Sequence, residues 1–190
     1  MTSVLKVDTI QDASGGNEIK PSALVKEIDM WQVTTSPEPT GTTDHNPITG
    51  WERRTLFFTK TGTGLTYTSS NGGFALPSAG TWRIYYKIDT HTDGDDPIMT
   101  LDLDASDDGG TSFAPTGDLR IMRHQEGKDV AGNDTRTVYS GTVTFTVTTS
   151  QLSNFRFRWR LFNTPTNLVI QTGNNTVGVR THFTIERIAD

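Results

Sequence analysis

The run Asp102, Asp104, Ser106, Asp107, Asp108, Gly109 concentrates oxygen donors more densely than any other stretch singled out for chemistry. Counted from Asp104, it places oxygens at positions one, three and five and glycine at six, the order of a calcium loop. Position twelve is then Pro115, which cannot supply the bidentate carboxylate. The plainer reading is a turn between two strands, built by Asp and Gly, with Asp102 and Asp104 on the wet face. Asp93, Asp95 and Asp96 form a second acidic loop, and the two loops meeting in space would favour a metal.

The same residues also spell Ser106-x-Asp108-x-Gly110-x-Ser112-Phe113, which resembles an Asp-box hairpin with serine in the usual place of threonine. Further on, Phe155 to Phe162 interleaves aromatics with Arg156, Arg158 and Arg160. In a strand, successive side chains point to opposite faces, so no ring can stack a base beside the arginines of its own strand, and a nucleic-acid platform is excluded. Two uses of the arginine row remain. It pairs with threonines and carboxylates of neighbouring strands or subunits, or it is a stripe, Arg156, Arg158 and Arg160, that binds anionic surface sugars. His45, His91, His124 and His182 have no metal-ligand spacing. The nucleophile elbow, the phosphate-binding loop and the dinucleotide fingerprint are all missing, and no carboxylate pair stands out for glycoside hydrolysis. The sequence therefore predicts no enzyme, no cofactor and no metal.

The elements that carry these residues have a period of two. Trp82, Ile84, Tyr86 and Ile88 alternate with Arg83, Tyr85, Lys87 and Asp89. Further inward rows are Met99, Leu101, Leu103, Ala105; Tyr139, Gly141, Val143, Phe145, Val147; Phe155, Phe157, Trp159, Leu161; and Val177, Val179, Thr181, Phe183, Ile185. Weaker strands are expected over 28–34, 51–59, 65–68, 73–76, 119–123 and 168–171, and one short helical stretch over 21–27. Clusters such as Asn71-Gly72-Gly73 and Asp107-Asp108-Gly109-Gly110 mark the turns. About ten short antiparallel strands so punctuated predict an all-β jelly-roll sandwich.

Composition agrees. The 190 residues include no cysteine, which excludes thiol catalysis and a disulfide scaffold. A net charge of -5 argues against general nucleic-acid binding. Threonine, roughly one residue in six, suits half-exposed sheet. No apolar run has the length that spans a bilayer, and the N-terminus lacks the pattern of a signal peptide. Residues 1–23 are too few for a core of their own, so Leu5, Val7, Ile10 and Ile19 would be buried only against another chain or a docking surface, whereas residues 24–190 hold the sandwich.

Two resemblances follow from particular residues. Leu5 to Ile19 (LKVDTIQDASGGNEI) resembles the lead-in segment of tail-fibre and appendage proteins of marine bacteriophages, cyanophages especially. Gly50 to Ile88 resembles the first half of a tumour-necrosis-factor or complement-globular-head jelly roll. The residues that carry the second likeness are Trp51-Glu52-Arg53, Gly62-Thr63-Gly64, Phe74-x-x-Pro77-x-x-Gly80 and Trp82, with His182 to Ile188 similar to the last strand of that fold. The middle, Asp93 to Asn133, departs from the pattern. These likenesses imply a homotrimeric, non-enzymatic virion protein, a fibre or tail appendage outside the particle. It would be anchored to other virion proteins through Leu5, Val7, Ile10 and Ile19, and would meet host surface polysaccharide through distal loops at 93–97, 111–117, 125–136 and 163–167. A head fibre, capsid decoration or tail adaptor with no receptor is the second expectation, and a polysaccharide depolymerase the third.

Overall fold

The computed structural model of the chain describes residues 10–11, 18–19, 27–35, 46–56, 58, 60–92, 99–113, 120–126, 135–162, 168–172 and 180–189. Its strands, in chain order, are β1 (Ile10–Gln11), β2 (Glu18–Ile19), β3 (Ile28–Val33), β4 (Asn46–Pro47), β5 (Trp51–Arg53), β6 (Thr66–Thr68), β7 (Gly73–Ala75), β8 (Gly80–Thr92), β9 (Met99–Ser106), β10 (Arg120–Glu126), β11 (Thr135–Val147), β12 (Arg156–Phe162), β13 (Val169–Ile170) and β14 (His182–Ala189). β1 and β2 form a ladder of their own, with Ile10 opposite Ile19. The rest make two six-stranded sheets, ordered β11-β8-β14-β3-β5 with β13 beside β8, and β10-β9-β12-β7-β6 with β4 beside β12. Every pairing is antiparallel. β9 and β10 are neighbours in one sheet, whereas the chain crosses between the sheets from β8 to β9, from β10 to β11 and from β11 to β12, and the C-terminal β14 lies in the middle of its sheet, between β8 and β3. This is the all-β jelly roll that the alternation predicts.

The inward rows meet in one core. Trp82, Ile84, Tyr86, Ile88, Phe183 and Ile185 from the β8 sheet face Phe74, Leu101, Leu103, Phe157, Trp159 and Leu161 from the β12 sheet, all buried. Phe74 is the hub. Its ring stacks on Phe157 at 5.3 Å and meets Trp31 and Phe183 edge-on at 5.2 and 5.1 Å. Truncating such a ring to alanine costs about 3–5 kcal/mol.

The quoted motifs have local physical reasons. Arg53 reaches under the sandwich end to Asp29, with Nε 2.9 Å from Oδ1 and Nη2 2.9 Å from Oδ2. Its guanidinium also lies 4.7 Å from the Trp31 ring centroid, and Nη2 donates to the Leu65 carbonyl at 2.6 Å. The turn above is held by buried carboxylates: Leu65 N–H donates to Asp29 at 2.8 Å and Gly64 N–H to Glu27 at 3.2 Å. Gly62 and Gly64 have φ of 77° and 75°, and a Cβ would come within 2.2 Å of the Glu27 carboxylate and 2.8 Å of the Asp29 carboxylate. Only glycine fits a left-handed turn wrapped this closely over two acids.

Some expectations move. The strand expected over 51–59 ends at Arg53, where Arg54 N–H turns to the Met30 carbonyl. The helical stretch expected over 21–27 lies outside the described residues, apart from Glu27, which is not helical. A helix the sequence reading did not expect, α1 (Thr149–Leu152), stands between β11 and β12. Its start is fixed by Gln151, whose Oε1 accepts from the Thr148 N–H at 3.0 Å and the Thr148 hydroxyl at 2.8 Å. Thr148-x-x-Gln151 is a capping-box spelling that could have been read from the sequence.

Candidate functional site

Alternation puts Arg156, Arg158 and Arg160 on the outer face of β12, and register decides what they meet. β9 lies beside β12 with Arg158 opposite Asp104 and Arg160 opposite Asp102, and on the other side of β9 Arg123 is opposite Asp102. The Arg160 guanidinium is 2.5 Å from Asp102 Oδ2 and 2.6 Å from Asp104 Oδ2. Arg123 closes on Asp102 as a fork, at 2.8 and 2.9 Å, and Arg120 Nε lies 3.4 Å from the same carboxylate. Arg158 is 3.9 Å from Asp104 and lies over the Phe113 ring at 4.2 Å.

Two expectations are corrected here. Asp102 and Asp104 are not on a wet face: both carboxylates have 0% exposure, because arginines from both neighbouring strands fold over them. Arg160 is likewise 0% exposed, so Arg156, Arg158 and Arg160 do not form a surface stripe for anionic sugars. Arg158 is largely covered, and Arg156 donates to the Ser153 and Phe155 carbonyls at 3.1 and 2.6 Å. The pairing with neighbouring carboxylates, weighed beside the stripe, is the arrangement found. Burial pushes the Asp104 carboxyl up against the pull of Arg160, and burial lowers the Arg158 guanidinium.

The segment from Ser106 to Ser112 folds into a turn closed by its own side chains. Ser106 Oγ donates to Asp108 Oδ1 at 2.6 Å and accepts from Gly110 N–H at 2.9 Å. Ser112 donates to the Asp108 carboxylate from its N–H at 3.0 Å and its hydroxyl at 2.5 Å. These donors hold the Asp108 carboxyl well below the usual carboxylate range. Asp104 is taken up by arginine, and Ser106 and Asp108 by each other and by Gly110 and Ser112, so the three oxygen positions of the calcium spelling counted from Asp104 are all engaged within the protein. Among the described residues no three His, Asp or Glu side chains cluster as metal ligands. The second acidic loop, Asp93 to Asp96, lies outside the described residues.

The outer face of the β8 sheet is a different surface. Tyr85 stands at its centre, opposite Thr142 of β11 and Thr184 of β14, with 42% of its surface exposed. Its hydroxyl donates to Glu186 at 3.1 Å and accepts from Arg83 at 3.2 Å. Val138 and Val169, also exposed, occupy the same face beside Asp89 and His91, and the other outward β11 positions are Arg136, Ser140, Thr142, Thr144 and Thr146. Asp89 is buried beneath a two-pronged contact from Arg136. His182 lies on this face between Lys87 and Gln32, and burial, with Lys87 and Arg54 nearby, lowers its imidazole. Alternation places Arg83, Tyr85, Lys87 and Asp89 in one outward row, and His91 and His182 are weighed as metal ligands; the sequence reading does not single out Val138, Val169 or Arg136.

Of the anchor residues, Ile10 and Ile19 pair across β1 and β2, and Leu5 and Val7 lie outside the described residues. So do the loops 93–97 and 163–167, and most of 111–117 and 125–136. His45 lies there too. His124 packs edge-on to Tyr139 at 5.3 Å, and its Nδ1 is 3.2 Å from the Tyr86 hydroxyl, a core-edge arrangement. No helix among the described residues is long and apolar enough to cross a membrane.

No protein-family model and no curated protein matches the chain. Its fold is similar to solved structures. The Eiger TNF of S. frugiperda superposes with a TM-score of 0.56 at 9% identity, covering 87% of this chain and 94% of that one. Murine APRIL at pH 5.0 gives 0.54 at 9% identity, covering 86% and 99%, and the pH 8.0 form gives 0.53. The likeness shows a TNF-like jelly roll.

Proposed function

We propose that the chain is a non-enzymatic subunit of a bacteriophage appendage. Three jelly rolls pack through the outer faces of their β8 sheets, are tied to the particle through residues 1–23, and contact polysaccharide on the host surface. The observation that carries this reading is the β8 face itself. Tyr85, Val138 and Val169 are exposed on a face whose charged side chains largely pair with one another, Arg83 with Glu186 and Arg136 with Asp89, and whose β11 edge is rich in threonine and serine. Exposed apolar side chains on one sheet face can pack on a copy of the same face, and closed symmetric assemblies are the common outcome of self-packing. Three arms would also give avidity to weak sugar contacts. The phage setting is supported by the lead-in likeness of Leu5 to Ile19.

The reading is tested by removing residues 1–21. The shortened chain should remain a trimer by light scattering and fail to join particles; normal incorporation would remove the anchor from the proposal. Retention of the full chain on host polysaccharide separates a host-contacting appendage from the second reading, a decoration or adaptor without a receptor. Release of reducing ends from that polysaccharide would overturn the non-enzymatic assignment.

A further inference from the structure

A cleft of about 380 Å³ opens at the edge of the sandwich where β10 and β11 diverge, closed at one end by α1. That volume is in the range of small-molecule sites, about 300–1,000 Å³. Its apolar lining includes Ile121, Phe145 and Phe155, all half-buried, and the two rings lie side by side at 5.7 Å with a 31° tilt. Its polar lining includes Asp107, Asn154 and Arg120.

Asp107 and Asp108 are neighbours with opposite fates. Asp108 is consumed by the hairpin, while the Asp107 carboxylate and the Asn154 carboxamide have no hydrogen-bond or ion-pair partner among the described residues. Arg120 is 3.4 Å from Asp102, so part of its charge is answered inside the protein.

We infer that this cleft binds an uncharged pyranose. A hexopyranose offers one face of C–H groups and a rim of adjacent hydroxyls. The C–H face suits the negative face of an aromatic ring. Two vicinal O–H groups can donate to the two oxygens of one carboxylate, and a carboxamide can both donate to and accept from a third. An acidic sugar would set its carboxylate against Asp107. The inference deepens the proposed contact with host polysaccharide and rests on that reading only for the source of the sugar.

The test uses the full chain with methyl glucoside, methyl galactoside and methyl mannoside at about 10 mM, well above a weak dissociation constant of roughly 1 mM. Saturation-transfer difference NMR should show transfer to the ring C–H protons of at least one of them. Asp107→Ala with Asn154→Ala should weaken that binding at least tenfold; neither side chain bonds the protein, so the fold should survive. No transfer from any of the three overturns the proposal. Transfer confined to a monomeric Tyr85→Glu variant also overturns it, by showing that a second copy fills the cleft. Host polysaccharide retained equally by wild type and double variant overturns the cleft and leaves the host-contact reading. Glycoside binding without polysaccharide retention does the reverse.

Discussion

Arg160 and Asp102 face each other in register across β12 and β9, 2.5 Å apart and wholly buried. Asp104 lies on the other side of the same guanidinium at 2.6 Å. Removing one partner of a buried pair leaves an uncompensated charge and costs about 3–5 kcal/mol, whereas replacing the whole group by neutral side chains can be nearly free. Arg160→Met should therefore lower the unfolding free energy by about 3–5 kcal/mol. Adding Asp104→Asn should return part of that loss, whereas Asp102 should stay charged because Arg123 and Arg120 still hold it. Urea unfolding with an unchanged m value checks both, and an Arg160→Met loss below about 1 kcal/mol would show that the pair is not load-carrying in the folded state.

The Asp108 hairpin predicts a local effect. Its carboxylate accepts from Ser106 and Ser112, while Ser106 Oγ accepts from Gly110 N–H. Asp108→Ala should raise amide hydrogen exchange at Gly110 and Ser112 by roughly tenfold or more and leave Ile84 and Phe183 protected. The depressed carboxyl contributes stability above the unfolded value of about 3.9 and loses it as pH falls below that. Asp108→Asn should flatten this acid-side slope, so an unchanged slope would place the acid sensitivity elsewhere.

His182 sets a second pH window. Burial lowers its imidazole, and Lys87 and Arg54 add to the effect. A histidine whose folded value is lowered binds its proton first in the unfolded chain, near pH 6.5, so stability is full above that pH and declines below it. His182→Gln should remove this part of the decline between pH 7.5 and 5. Melting temperatures at the two pH values measure it, and an identical drop in both proteins would exclude His182 as its source.

How far the sequence could be read follows from what each signal reports. Alternation identified the buried faces of β8, β9, β12 and β14, because a period of two is a property of one strand alone. It also placed Asp102 and Asp104 on the outer face of β9 correctly. It misjudged their burial, because that depends on register: Arg123 and Arg160 are opposite Asp102 only once β10 and β12 are set on either side of β9. The turn around Asp108 was legible because its bonds span a few residues. The cleft was not, since Ile121, Phe145, Phe155 and Asp107 come from four separate segments that only the sandwich brings together.

The β8 face makes the last prediction. Tyr85 stands outside the core of its own chain: its ring is on the outer face of the sandwich, and among the described residues its hydroxyl bonds only to Glu186 and Arg83 on the same surface. If three copies pack through this face, Tyr85→Glu sets a new negative charge beside Glu186 and into the interface, where like charges are costly. The variant should sediment as a single 20.9 kDa chain with an unchanged far-ultraviolet spectrum, while the wild type sediments as a trimer. Because assembly stabilises by mass action, the wild-type melting temperature should rise with concentration and that of the variant should not. Equal masses for the two proteins would mean that the face stays open to solvent and that any assembly uses another surface.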